Sequence, residues 1–323
     1  MNPPEPHVTI VILNWNRVGD TLECLESLAR MNYPSFSIVV VDNGSTDGSP
    51  EAIERWGRVH LPLTLIRNGE NRGFVRGSNQ GMRHALSTDT EYVFLLNNDT
   101  VVEPDALSLL VTTAERSGER TGQCSGERSG ERSGERSGDI GMAGPKIYQY
   151  GKENVLDSAG TRTIPWLAQG FLVGHGEEDY GHYDNPGDLP YVTGTALLVK
   201  RAVLEEVGLM DEDYFCYFDD FDWGMKARKA GYILLLEPRA VVHHKGSQTA
   251  GLNSPFYVHH MVRSRILFAR KHIPFLPFLF AFLPYLFLYR YLRPAISLLV
   301  HRKWSHLGSL HRGIREGFKI PVN

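Results

Sequence analysis

The chain has 323 residues, 42% of them hydrophobic and 22% charged, which excludes a collagen-like, wholly disordered or disulfide-stapled protein and leaves room for about two ordinary domains. Its net charge of −3 excludes a generally basic nucleic-acid binder but conceals an asymmetry. From Pro255 onward there are 11 Lys and Arg against one acid, Glu316, so this tail carries +10 and the preceding 254 residues carry −13.

Met1 to Pro6 is polar and proline-rich, and no basic leader precedes the apolar run after it. No signal peptide is predicted, and the chain is expected on the cytoplasmic side. The β-branched run Val8 to Leu13 reads as a strand, and Leu22, Leu25 and Leu28 then keep a helical period. Strand Ser37 to Val41 enters the turn-rich Asp42-Asn43-Gly44-Ser45-Thr46-Asp47-Gly48, followed by a helix from Pro50 to Trp56. Strand Leu63 to Arg67, helix Gly77 to Leu86 and strand Tyr92 to Leu96 continue the alternation. Such a series predicts a parallel sheet covered on both faces, with ligands at the carboxyl ends of its strands.

A helix from Asp105 to Glu115 precedes a four-residue repeat between Ser117 and Gly138, in which SGER occurs four times. It has almost no apolar content and a Gly in every unit, so it reads as a disordered insertion before a strand starting at Ile140. Cys24, Cys124 and Cys216 fit no metal spacing and predict reduced thiols in a cytosolic compartment. From Ile273 to Tyr289 run 17 uncharged residues rich in Phe and Leu, interrupted by Pro274, Pro277 and Pro284. A spanning helix needs about 20 apolar residues and prolines break its ladder, so an interfacial or re-entrant segment is predicted. The flanking Arg263, Arg265, Arg270, Lys271, Arg290, Arg293, Arg302 and Lys303 suit anionic lipid headgroups. The chain is therefore divided into a body, 1–254, and a basic, apolar helical extension, 255–323, associated with a membrane surface.

Three acidic clusters carry candidate chemistry. Asp42 ends a strand and is followed by small residues that let a ligand approach the backbone, although Asp-Asn-Gly-Ser is also a common capped turn. Asn97-Asn98-Asp99-Thr100 ends another strand, and a hard divalent cation bridging two phosphates needs only one or two protein carboxylates. Asp99 supplies one; Asn97 offers a neutral oxygen. In Asp219-Asp220-Phe221-Asp222-Trp223, three carboxylates fall within four residues, and crowding of that kind raises a carboxylate towards the range of a general base. A neutral imidazole from His243 or His244, after the strand Ala240 to Val242, would suit an Mn2+-type ion beside Asp99.

The ordered stretches VTIVILNWNR, VVVDNGSTDGS, NRGFVRGSNQG, FLLNNDT, VTGTALLVKR, YFDDFDWGMKARKAGY and VVHHKGS resemble family 2 of the inverting, GT-A-fold nucleotide-sugar glycosyltransferases, particularly its rhamnosyltransferase-like branch. The resemblance implies an α/β GT-A architecture, Rossmann-like, with a mostly parallel sheet and helices on both faces. It implies that Asp42 binds the nucleotide, with Asn14, Asn16, Asn43, Arg72 and Asn97 around it. Asp99 matches the last position of the family's metal-binding Asp-x-Asp, whose first carboxylate is here Asn97, and His243 or His244 completes the site for Mn2+ or Mg2+. Asp220 matches the catalytic base; Gly194, Thr195, Asp219, Asp222 and Trp223 are expected on the acceptor side. The donor so implied is dTDP-rhamnose or a UDP-sugar, and the acceptor a hydroxyl of a glycan or lipid-linked molecule in cell-envelope polysaccharide synthesis, with no nucleic acid involved. A non-catalytic sugar-nucleotide or glycan-binding scaffold is the alternative. A nucleotidyltransferase would want a Gly-rich loop where Asn14-Trp15-Asn16-Arg17 stands.

Overall fold

The computed structural model describes residues 5–116, 138–185, 187–246 and 254–322. The repeat segment 117–137, with Cys124, lies outside them. Strands β1 (Val8–Asn14), β2 (Phe36–Asp42), β3 (Leu63–Arg67) and β4 (Tyr92–Asn97) alternate with helices α1 (Val18–Leu28), α2 (Ser49–Val59) and α3 (Gly73–Leu86). Then follow β5 (Thr100–Val102), α4 (Ala106–Glu115), β6 (Ile140–Gln149), β7 (Leu156–Ser158), β8 (Thr161–Ile164), β9 (Gln169–Leu172), β10 (Ala196–Lys200), α5 (Arg201–Glu206), α6 (Asp219–Lys229) and β11 (Ile233–His244). Helices α7 (Pro255–His272), α8 (Phe275–Val300) and α9 (Trp304–Lys319) complete the chain.

The main sheet runs β3-β2-β1-β4-β10-β6-β11-β5, with β7 added to β6, and its first four strands are mutually parallel. Successive residues of β1 alternate between two cores. Val8, Ile10 and Ile12 pack with α1, α2 and α4, while Val11 packs on the other side with α3, α6 and α7. Helix α3 comes close to β1 because it presents glycines there: a Cβ on Gly77 would stand 2.4 Å from Leu13 Cδ1, and one on Gly81 2.4 Å from Val11 Cγ1. Strand β10 is antiparallel to β4, so its start, not its end, meets the end of β4, and Asn97 N donates to Thr195 O at 2.9 Å. That reversal brings Gly194 and Thr195 to the same sheet edge as Asn14, Asp42 and Asn97.

The C-terminal region departs from the sequence expectation in two respects. Helix α7, the first part of the extension, packs into the body, since Ile266, Leu267, Phe268 and Ala269 are fully buried in the core shared with α6 and the sheet. Four of the basic residues expected at lipid headgroups are consequently occupied inside the protein. Arg265 donates to Ala168 O, Arg270 donates to Gly317 O and Ile320 O, Arg263 lies 3.9 Å from Glu316, and Lys271 pairs with Asp211 at 2.6 Å. Helix α8, in turn, is continuous for 26 residues through Pro277, Pro284 and Pro294. The backbone widens into π-helical stretches at Phe278–Phe282 and Leu286–Leu292, which accommodate a missing N–H and the ring without ending the helix. Only 11% of its apolar window is buried, so it is not a core helix, and it is long and apolar enough to cross a membrane.

Candidate active site

At the shared sheet edge lies a cavity of about 950 Å³, walled by strand ends, the start of α6 and the first turns of α7. Its α6 wall begins with Tyr217 and Phe218 at φ +63° and +66°, two successive side-chain-bearing residues in the left-handed region. Each costs on the order of 1–3 kcal/mol, an expense tolerated where the surroundings fix the turn. The turn starts α6 with Asp219 and Asp220 facing the cavity. Asp220 accepts hydrogen bonds from Gly194 N at 3.1 Å and from Phe221 N at 2.8 Å. Burial raises the proton affinity of both carboxyls above the usual range; at Asp219 the neighbouring charge of Asp220 adds to it, while at Asp220 the main-chain N–H groups oppose it.

A second wall holds Asp99 and His244. The His244 Nε2 atom lies 3.4 Å from Asp99, and its Nδ1 lies 2.8 Å from Asp157. Burial disfavours the imidazolium, but Asp157 and Asp99 outweigh it and lift the ring to about 9. A carboxylate behind one ring nitrogen leaves the other aimed at the cavity, the support that metal-ligating histidines use. Asp99 and His244 are thus residues that could hold a divalent cation, an ion that needs only one or two protein ligands when phosphates supply others. No group of three or more His, Cys, Asp or Glu side chains arranged to hold a metal ion occurs among the described residues. His243, one residue earlier on β11, points to the other face, where its Nε2 meets Glu103 at 2.9 Å. The period of two in a strand thus separates the adjacent histidines, and His243 is not beside Asp99.

The residues expected around a nucleotide divide into layers. Asn43 and Asn97 line the cavity. Asp42 and Asn14 lie behind it, 1% and 0% exposed, with Asn14 Nδ2 donating to Asp42 at 2.6 Å and Ser45 N donating to the other carboxylate oxygen at 3.0 Å. Asn16, at φ +48°, accepts from Thr46 N at 2.9 Å and is outside the lining, as is the exposed Arg72. On the acceptor side, Gly194, Thr195 and Asp219 line the cavity, but Asp222 and Trp223 do not. The helical turn carries them inward. Asp222 is fully buried, with Lys226 and His272 each at 2.6 Å, and Trp223 donates its indole N–H to Gly208 O at 2.9 Å. Trp223 is thus a core residue rather than a stacking platform.

Sequence reasoning overlooked the aromatic wall formed by Phe74, Tyr191 and the Phe256-Tyr257 pair of α7, and overlooked Arg265 as a lining residue. The signal was present in Ser254-Pro255, a cap followed by a proline in the first turn of a helix.

The model of glycosyl transferase family 2 matches residues 9–208. An N-acetylglucosaminyl-diphospho-decaprenol L-rhamnosyltransferase of Mycobacterium tuberculosis is 27% identical over 258 residues, 77% of this chain and 79% of the relative. A dTDP-rhamnosyl transferase of Shigella flexneri is 21% identical, covering 84% of this chain and 82% of its own. Among solved structures, a mannosyltransferase of Pyrobaculum calidifontis in complex with GDP-Man and Mn2+ aligns over 98% of this chain and 88% of its own, with TM-score 0.59 and 20% identity, which establishes the common GT-A fold. With the family match extending from β1 to the residues just past α5, and two of the relatives named as rhamnosyltransferases, the chain belongs to glycosyl transferase family 2, of rhamnosyltransferase-like type.

Proposed function

We propose that the protein transfers a sugar, with inversion, from dTDP-rhamnose or a UDP-sugar to a hydroxyl of a lipid-linked or glycan acceptor during cell-envelope polysaccharide synthesis. The observation that carries this reading is the presence in one cavity of a carboxyl pair with raised proton affinity, Asp219 and Asp220, and a carboxylate–imidazole pair suited to a cation, Asp99 and His244. The mycobacterial relative is named for a lipid diphosphate acceptor, which favours the lipid-linked choice.

In this reading Asp220 accepts the proton of the acceptor hydroxyl as that oxygen attacks the anomeric carbon. The N–H groups of Gly194 and Phe221 hold the carboxylate in place, and burial keeps its proton affinity high. Asp99 and His244 would hold Mn2+ or Mg2+, which when bound would counter the charge developing on the departing nucleoside diphosphate. Asn43 and Asn97 contact the nucleotide, and Asp42 and Asn14 shape the turn beneath them. The exposed apolar side of α8 rests on the cytoplasmic face of the membrane, with Arg293, Arg302 and Lys303 towards the headgroups.

The test is the thermal midpoint of the full chain with UDP, dTDP or GDP, each with Mn2+ or with EDTA. A ligand at a hundredfold excess over its Kd stabilises the folded state by about 2.7 kcal/mol. One nucleotide is expected to raise the midpoint only with Mn2+, and Asp99→Ala is expected to lose that response. If no nucleotide raises it under either condition, the donor assignment is wrong.

A further inference from the structure

Arg265 lines the cavity from α7 with 6% of its surface exposed, yet forms no ion pair among the described residues. One N–H donates to Ala168 O, and the guanidinium lies 5.0 Å from the centre of the Phe218 ring. A guanidinium has five N–H donors, so most of its capacity is unspent. A second cation is tied to the same short segment: the Tyr285 hydroxyl of α8 donates to Gln169 Oε1 at 3.3 Å, next in sequence to the Ala168 that Arg265 holds, and Arg290 binds that hydroxyl. Burial, then Arg290 on α8, lowers the Arg265 pKa to about 10. Arg290 is likewise without an ion pair among the described residues; its Nε donates to the Tyr285 hydroxyl at 2.7 Å. Placing two guanidinium groups near each other, one of them deeply buried, is costly unless an anion joins them.

The position of this pair says what the anion is attached to. Phe218, which Arg265 covers, immediately precedes Asp219 and Asp220, so the buried cation adjoins the carboxyl end of the cavity. Arg290 carries the charge out to α8, where Phe287, Leu288 and Tyr289 are 56%, 50% and 60% exposed. A hydroxyl-accepting base, a cation pair and an exposed apolar helix therefore follow one another in space. An amphiphile with a sugar, a phosphate and a hydrocarbon chain presents matching groups in that order.

We propose that Arg265 and Arg290 form a binding site for the phosphate or diphosphate of a lipid-linked acceptor, between its sugar at Asp220 and its hydrocarbon along α8. This rests on the lipid-linked reading of the acceptor given above. The donor's diphosphate has its own place at Asp99 and His244.

The experiment measures binding of farnesyl diphosphate, farnesol, and dTDP or UDP with Mn2+ to the full chain, and to Arg265→Gln, Arg265→Lys and Arg290→Gln. Farnesyl diphosphate is expected to bind the unaltered protein more tightly than farnesol. Its affinity is expected to fall at least about tenfold in Arg265→Gln, the scale of one hydrogen bond to a charged group, and less in Arg290→Gln, whose side chain is only partly buried. Nucleotide affinity is expected to stay unchanged. If farnesol binds as well as farnesyl diphosphate, or if no Arg265 or Arg290 variant weakens the diphosphate, the site is refuted. A loss confined to the nucleotide gives Arg265 to the donor instead, which also overturns it. Should Arg265→Gln fail to fold, Arg265→Lys, which keeps the charge but not the planar fork, and Arg290→Gln carry the same comparison. Binding to phosphatidylcholine vesicles with and without phosphatidylglycerol separates the remaining source of phosphate, since a loss seen there as well would assign the pair to bulk headgroups and overturn the acceptor site. Failure of the transferase reading shows separately, as absence of nucleotide binding by the unaltered protein.

Discussion

Asp99 faces an imidazole at 3.4 Å, itself braced by Asp157 at 2.8 Å, whereas Asp219 and Asp220 line the cavity as neighbours and Asp220 is held by main-chain N–H groups. The two walls use one residue type for opposite purposes. A carboxylate beside an imidazole can share a cation with it, while carboxylates crowded in a poorly hydrated site hold protons more strongly. What surrounds the acid, more than its presence, separates a ligand from a base. The comparison is broken most directly at Asp220. Asp220→Asn retains an oxygen for Gly194 N but removes the base, so transfer is expected to fall by about 10²–10⁴-fold with Mn2+-dependent nucleotide binding intact. Parallel loss of nucleotide binding would mean that the walls are not separate in function.

Asp222 sharpens the same contrast within one helical turn. It belongs to the acidic triplet in sequence, but Lys226, His272 and the Tyr214 hydroxyl surround it in the core. Asp222→Ala removes the buried partner of Lys226 and His272, and breaking a buried pair costs about 3–5 kcal/mol. Lys226 also reaches Asp211 at 3.1 Å, which places the expected loss at the lower end. Urea unfolding measures it, and transfer per folded molecule is expected to change only a few-fold. A stable but inactive Asp222→Ala would instead return this residue to the chemistry.

The pH dependence has a definite sign. The folded state raises the pKa of Asp219 and Asp220 above that of an unfolded aspartate, about 3.9, so it binds protons more tightly than the unfolded chain. Their contribution to stability is fully present below the unfolded value and is lost as pH rises through the raised folded value. Asp222, Tyr191, Tyr214, Cys216 and Tyr217 are the titratable groups that interact with the pair. Unfolding midpoints from pH 4 to 8 are expected to decline less steeply for Asp220→Asn than for the unaltered chain. An identical profile would show that the pair does not titrate in that window.

The βαβ series was legible because buried parallel strands are continuous apolar runs, and the strand-end motifs followed from it. What was hidden depended on side-chain direction and on distant contacts. Asp222 and Trp223 share a motif with Asp220, but a helix turns about 100° per residue and sends them to the core. Arg263, Arg265, Arg270 and Lys271 read as a lipid-facing cluster because their partners, Glu316, Ala168, Gly317, Ile320 and Asp211, are remote in sequence. The prolines of α8 predicted a broken segment because composition does not reveal that π-turns will absorb them.

The smallest expected effect tests the finest distinction, that between adjacent histidines. His243 meets Glu103 at the surface, with side chains 31% and 51% exposed, and exposed pairs contribute about 0–1 kcal/mol. His243→Ala is therefore expected to move the unfolding free energy by no more than about 1 kcal/mol and to leave the Mn2+-dependent nucleotide response in place. His244→Ala, one residue along the same strand, removes the ring between Asp99 and Asp157 and is expected to abolish that response. Two variants of equal chemistry then differ only in which face of β11 they alter. If both lose the response, strand direction does not decide the matter; if neither does, Asp99 holds the cation without an imidazole, and the asymmetry between the two walls narrows to a single carboxylate.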